Sequence, residues 1–389
     1  MDLYKRALAL QQEITSHRRY LHTHAEAGLS LPIAKEYAKK QLEAIGIEAA
    51  DCGMGVAATV GQGGKVFLLR ADMDALPMKE ESGESFASQT SCAHTCGHDL
   101  HAAMLLGAAR LLKEKEGALG GTVKFMFQPA EETLCGAKHM IENGILSDPP
   151  VDAALAFHVN AGHGSVGEFL YNSSGALMFS ADMFRITVRG KGTHGAYPQY
   201  GVDPILIGSQ IVIALEALIA RETDPQAAAA LTIGSFQAGT NTNIIPETAV
   251  LLGSVRTNAP ALREMLVRRI REAAAGTAAV YGGKAELEIL SGAPPLICAP
   301  ALTEDIVRYL QETGVPDAAP VPGYSVSGSE DFAYIAERVP SAFLFLSAGF
   351  PDERGDFTAH NPKVRFNEDV LPLGAAWLAH AAIRWLEEH

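Results

Sequence analysis

Basic charge is what this chain is short of. Its 31 lysines and arginines face 45 aspartates and glutamates, a formal net charge of −14. Nucleic acids and anionic membranes both need basic surface, so neither is expected as a partner. Long apolar runs are scarce too, and no stretch approaches the roughly 20 residues that cross a bilayer. The opening MDLYKRALALQQEI lacks a signal-peptide core, because Asp2, Lys5 and Arg6 interrupt it. Leu3, Ala7, Leu10 and Ile14 fall instead at helical spacing and predict an amphipathic first helix. Cysteine is sparse and odd in number: Cys52, Cys92, Cys96, Cys135 and Cys298. That excludes a disulfide framework and fits a reducing compartment, so a cytoplasmic location is expected. Internal repeats and low-complexity tracts are absent from the sequence.

What remains is an ordinary globular composition on a chain of 389 residues, longer than one compact core favours. Two domains are expected. In the first part, short apolar runs alternate with helical patterns. KVFLLRADMD reads as a buried strand leading to Asp72 and Asp74, and TVKFMFQPAEE as a strand leading to Glu131 and Glu132. VDAALAFHV reads as a third, ending at His158. Between them, His101, Met104, Leu105, Ala108, Leu111 and Leu112 share one helical face. The alternation predicts an α/β fold whose catalytic domain is built on a mainly parallel sheet. Such sheets carry their sites beyond the carboxyl ends of strands, where Asp72, Glu131, Glu132 and His158 are expected.

Near residue 175 the texture changes. An alternating strand in SADMFRITVRG precedes an apolar helix from Pro204 to Ala220. The strands AAALTIGSFQAG and TAVLLGSVRT follow, then a helix from Pro260 carrying Leu262, Leu266 and Ile270. This order predicts an inserted α+β, ferredoxin-like domain over residues 177–291, joined at Gly175 and Gly292. Residues 1–176 and 292–389 would form the two segments of the catalytic domain. The second segment is expected to hold a helix near 301–313, the strand AFLFLSAG and a closing helix from about 367.

The densest chemistry lies in HTCGHDLHAAM, where His94, Cys96, His98 and His101 crowd one short run. In an extended segment, residues two apart face one side, so His94, Cys96 and His98 can converge. Thiolate and imidazole both suit zinc or a similar divalent ion. At this point a closed structural zinc site with Cys92, or a histidine cluster holding no metal, stays open. The Glu131–Glu132 pair favours catalysis, because one carboxylate can ligate while its neighbour moves a proton.

RADMDALP, HTCGHDLHAAMLLGAA, FQPAEE, AFHV, GKGTHGAYPQYGVDPI, NIIPE, GSVRT, GSEDFAY and HNPKVRFNED together resemble, in order, the M20 metallopeptidase family. The resemblance is nearest to its amidohydrolase branch: aminoacylases, hippurate hydrolases and auxin-conjugate hydrolases. It implies two divalent metal ions, zinc first with manganese, cobalt or nickel as alternatives, held by Cys96, His98, Glu132, His158 and His360. It makes Glu131 the general base and His194 an oxyanion stabiliser reaching into a partner chain. Asn243 and Arg256 become substrate contacts, and Asp74 and Asp99 orient the ligands. His94 and His101 are assigned to the loop and helix start. Elsewhere in the broad family a histidine stands where Asp72 does, and an aspartate bridges the metals where Cys96 would. The implied reaction is hydrolysis of the amide bond of an N-acyl amino acid, with dipeptidase or carboxypeptidase action on short peptides as the alternative. The partners implied are that small substrate and a second copy, bound through the inserted domain as a lid and dimerisation element.

Overall fold

The run VFLLRAD is buried at every position, as a strand covered on both faces requires. In the computed structural model, which describes residues 3–315 and 318–389, it lies inside an eight-stranded sheet. The strand order is Ala49–Cys52, Gly55–Gly61, Thr122–Gln128, Val66–Asp72, Ala153–Asn160, Ser341–Ser347, Glu168–Tyr171, Ala319–Pro322. The middle four strands run parallel, whereas three other pairings are antiparallel, so the sheet is mixed. The expectation of a mainly parallel sheet missed this. Its antiparallel pairings involve the hairpin that turns between Cys52 and Gly55 and the strand Glu168–Tyr171, which are partly buried and carry no long apolar run to announce them in the sequence.

His98–Lys113 and Val370–Glu388 pack on each other and are buried around nearly their whole surface, more than the single face read from the sequence. The first helix is broken at Leu10 into Leu3–Ala9 and Gln11–Thr23. His158 lies two residues inside its strand, not at the end. One continuous apolar core joins these helices to the sheet.

The chain divides into two units, the second made of residues 178–296 and 326–330. Its strands Ala181–Arg189, Ala229–Ala238, Thr248–Thr257 and Lys284–Ala293 form an antiparallel sheet. The helices Pro204–Ala217 and Pro260–Val280 interrupt them in a β-α-β-β-α-β order. This unit has its own core, including Phe184, Ile186, Ile207, Ile211, Leu251, Leu266 and Ile270. The chain returns at 297 instead of 292, because Gly292 and Ala293 still pair with Asp182 and Ala181 as strand. SGAPP therefore starts as sheet edge, not as linker.

One sequence expectation needs correcting here. Pro204–Glu222 is 19 residues of helix, long and apolar enough to cross a membrane by length and composition. Within its unit it packs Ile207, Ile211, Leu215 and Leu218 into the core and leaves Ile205, Leu206 and Ile213 exposed.

Candidate metal centre

Backbone strain marks the site first. Among the described residues, the non-glycine positions with positive φ are Ala130 (57°), Leu134 (57°) and His360 (67°). Such conformations each cost on the order of 1–3 kcal/mol and persist where surrounding bonds over-determine them. Here the Ala130 carbonyl accepts from the Cys135 and Gly136 amides, and the His360 amide donates to the Thr95 carbonyl. The turn after Thr122–Gln128 thereby swings Glu131 and Glu132 back toward the helix that starts at His98. Gly97, at φ 94°, opens that helix where any Cβ would collide with Val159 and Phe366.

The five expected ligands come together in overlapping groups. Cys96, His98 and His158 form one set, and Cys96, Glu132 and His360 another, with donor atoms within 4.8 Å in each. Cys96 belongs to both. Its Sγ lies 3.5 Å from His158 Nε2, and His360 Nε2 lies 3.5 Å from Glu132 Oε1. His98 Nε2 stands 4.0 Å from Glu132 Oε1 and 4.0 Å from Glu131 Oε2.

Whether this set fits divalent ions can be tested on its unmet hydrogen-bonding capacity. His98 Nε2 and Glu132 Oε1 are buried and lack a hydrogen-bond partner. A buried polar atom left this way costs about 1–3 kcal/mol. Donors about 2.0–2.3 Å from one ion lie about 3–4 Å from each other, the spacing found here. The residues fit.

The other ring nitrogens are committed elsewhere. His98 Nδ1 pairs with Asp74 Oδ1 at 3.2 Å, while Asp74 Oδ2 accepts from the Glu132 amide at 3.1 Å. Asp74 thus steadies two of the five. His158 Nδ1 donates to the Val159 carbonyl at 2.8 Å, leaving Nε2 for the cluster. His101 is no part of the five-residue set. Its Nε2 accepts from the Val159 amide at 2.9 Å, which requires Nδ1 to carry the proton toward Asp72. Val159 is therefore held through its amide by His101 and through its carbonyl by His158.

Electrostatics follow from burial among many charges. Burial disfavours the Asp72 carboxylate, yet Arg70, His98 and His101 hold its pKa well below the usual range. Burial opposes charge on His98, and Asp72 and Cys96 outweigh it and raise its pKa. Burial, helped by His101 and His98, keeps His158 neutral, the form that ligates. Burial raises the Cys96 thiol and, against the pull of His98 and His360, the Glu132 carboxyl, so without a cation the thiol keeps its proton and charge on Glu132 is disfavoured.

Asp99 departs from its expected role. It meets none of the five candidate ligands, and Oδ2 accepts from Arg18 Nε at 3.1 Å and His22 Nδ1 at 2.8 Å. His22 Nε2 in turn donates to Glu80 at 3.0 Å. Burial alone would lower the His22 pKa, but Asp99 and Glu80 push it up to about 9. Burial would raise Glu80, but His22, Ser82 and the Ser88 amide bring it to about 2. A raised histidine stabilises below its ordinary 6.5 and loses that as pH climbs through about 9. A depressed glutamate stabilises above its ordinary 4.5 and loses that as pH falls through about 2. The pair is thus fully effective between the two ordinary values. Glu80→Gln is expected to remove about 3 kcal/mol at pH near 6, the scale for breaking a buried pair, and clearly less above pH about 9. Denaturant melts at both pH values check this, and an equal loss at both would discount the ion pair.

A supporting network went unread in the sequence. Arg70, fully buried, donates from Nε to Gln128 Oε1 at 2.9 Å and from Nη2 to Asp331 Oδ1 at 3.2 Å. Its Nη1 pairs with Asp72 Oδ2 at 2.7 Å. Asp331 also accepts from Gln128 Nε2 at 2.6 Å and from the Ala137 amide at 2.8 Å. The available signal was a charge inside an apolar strand, Arg70 in VFLLRAD.

The remaining expected residues lie on the second unit. His194 is directly opposite Ile244 in a two-stranded pairing, which sets Asn243 beside it, and the Gly195 amide donates to the Asn243 carbonyl. His194 Nδ1 accepts from the Ala196 amide at 3.0 Å. Arg256, near the end of Thr248–Thr257, donates from Nη1 to Ser329 Oγ at 2.7 Å and more weakly to the Ser327 carbonyl.

Residues 68–384 match the description of peptidase family M20/M25/M40. The chain is 35% identical to N-acetyl-L-cysteine deacetylase of Bacillus subtilis over 98% of its length and 90% of that protein. It is 34% identical to thermostable carboxypeptidase 2 of Saccharolobus solfataricus over 96% of this chain and 95% of that one. Among solved structures it is similar to a Bacillus subtilis protein described as a dinuclear metal binding peptidase from the M20 family. That likeness has a TM-score of 0.82 at 30% identity, covering 97% and 99% of the two chains.

Proposed function

The chain belongs to peptidase family M20/M25/M40, and from that we propose a metal-dependent amidohydrolase that cleaves N-acyl amino acids into a carboxylic acid and a free amino acid. The observation that carries the reading is the joining of two donor groups through Cys96, with Glu131 at their edge. Two divalent ions held by Cys96, His98, Glu132, His158 and His360 would acidify a coordinated water and polarise the acyl carbonyl. Thiolate with imidazole favours zinc, with manganese, cobalt and nickel as alternatives. Glu131 takes the proton from the attacking water and passes it to the departing amine nitrogen. Asp74 keeps His98 and Glu132 aimed.

Asn243 and Arg256 are assigned to the amino-acid carboxylate, and His194 to the developing oxyanion, a contact worth about 3–4 kcal/mol when well placed. The exposed Ile205, Leu206 and Ile213 on one helix support a dimer formed through the second unit. His194 would then serve the partner chain. Mixing inactive His194→Ala with inactive Glu131→Gln protein should restore some activity, and exchange of subunits without any return rejects the shared site. All five cysteines are free, in keeping with a cytoplasmic setting.

The similarity to a carboxypeptidase supports a second reading, cleavage of short peptides by the same groups. A release assay on metal-loaded protein compares N-acetyl amino acids with dipeptides carrying the same C-terminal residue. Faster turnover of the N-acetyl substrates is expected. Turnover of dipeptides alone would replace the proposal with the second reading.

A further inference from the structure

A cavity of about 310 Å³ lies on the sheet face that carries His158, lined by Asn160, His163, Glu168, Tyr324, Ser347 and Ala359 among others. Its place follows from register. His158 pairs with Phe345 and Asn160 with Ser347, and alternate residues of a strand share a face. Asn160 and Ser347 thus stand one pleat beyond His158 and Phe345, a step of about 7 Å along the strand. Next across, Leu170 pairs with Phe345, which brings Glu168 abreast of Ser347. Ala359 immediately precedes His360, and the ring of Tyr324 packs edge-on to Phe345, which itself packs on His158. The cavity therefore follows His158 along its strand and is lined by the residue that precedes His360, so it lies on the side of the candidate metal cluster where these two ligands enter it.

Its lining mixes apolar Ala161, Leu170 and Ala359 with polar groups, among which Glu168 is the carboxylate. Asn160 Nδ2 reaches the Tyr324 hydroxyl at 3.4 Å, a long bond that a better acceptor could displace. Gly164 leaves room at the rim: a Cβ there would strike Ser347 Oγ and come within 4.0 Å of Glu168 Oε2. The Glu168 carboxylate lines the cavity, whereas His163 is already paired with Asp356 at 3.1 Å. The region is thus acidic overall, with hydroxyl and amide groups beside the carboxylate.

We propose that this cavity receives the far end of the acyl group and that Glu168 sets its preference, favouring acyl chains that end in an amino group over those that end in a carboxylate. This rests on the N-acyl amino acid reading and names the acyl class within it. An extended four-carbon acyl chain carries its terminal group about 5 Å beyond the scissile carbonyl, and a hydrogen bond of about 3 Å completes the step of one pleat toward Asn160, Ser347 and Glu168.

The test uses three N-acyl-alanines that share length and differ at the end: γ-aminobutanoyl, butanoyl and succinyl. On the metal-loaded wild type, kcat/KM for the amino-ended substrate should exceed that for the carboxyl-ended one by roughly tenfold or more, since attraction in one and repulsion in the other are each worth up to roughly fivefold. Glu168→Gln should compress that ratio toward unity, and Glu168→Lys should invert it. The ratio is read within each protein, and the wild-type panel stands even where a variant folds poorly. Hydrolysis of all three at similar kcat/KM, or a wild-type preference for succinyl, overturns the proposal and leaves the amidohydrolase reading intact. Failure to hydrolyse these and N-acetyl-alanine alike overturns both.

Discussion

Glu131→Gln is expected to abolish turnover while metal content stays near that of the wild type. Glu131 is buried within a strained turn between Ala130 and Leu134, and its Oε2 lies 4.0 Å from His98 Nε2, beside Glu132. Glutamine keeps the size and the hydrogen-bonding reach but cannot hold a proton at neutral pH. Loss of a proton-transfer group reduces rate by roughly 10²–10⁴-fold. Glu132→Gln provides the contrast, since a lost ligand should lower metal content together with rate. Atomic absorption on dialysed protein, paired with single-turnover rates, separates the two. Near-normal turnover of metal-replete Glu131→Gln protein would remove Glu131 as base.

The sequence exposed the chemistry better than it exposed the scaffold. Cys96 and His98 sit two apart before a helix, and Glu132 follows an apolar strand, so local pattern points at each of them. His360 is different: its neighbours predict only a turn, and the fold brings it to Glu132 across more than two hundred residues. Asp99 illustrates the opposite failure. Adjacent to His98 in sequence, it turns to Arg18 and His22 on another helix, because successive helical residues face different directions. Asp331 was invisible as a support for Arg70, since nothing local tells a buried acceptor from a solvated carboxylate. Sheet direction was equally illegible: Ala49–Cys52, Gly55–Gly61 and Glu168–Tyr171, which break the parallel order, are partly buried and lack the long apolar runs of the parallel strands.

Cys96 carries the other large effect. It is the shared member of both donor groups, so Cys96→Ala should weaken binding of both ions by more than ~100-fold, beyond what loss of a supporting contact does. Cys92→Ala should change neither. The thiol also predicts how binding depends on pH. Burial holds Cys96 protonated in the metal-free protein, so a cation must displace its proton, and the affinity rises with pH, about tenfold per unit for each proton released. An aspartate starts from an ordinary pKa of about 4 against about 8.5 for a thiol, so the same burial leaves it far less protonated near neutral pH. Cys96→Asp should therefore still take up two ions, yet release fewer protons on doing so. Calorimetric titration with zinc in buffers of different ionisation enthalpy reads that number directly. Full two-ion binding by Cys96→Ala, with unchanged proton release, would leave the two donor groups without their bridge.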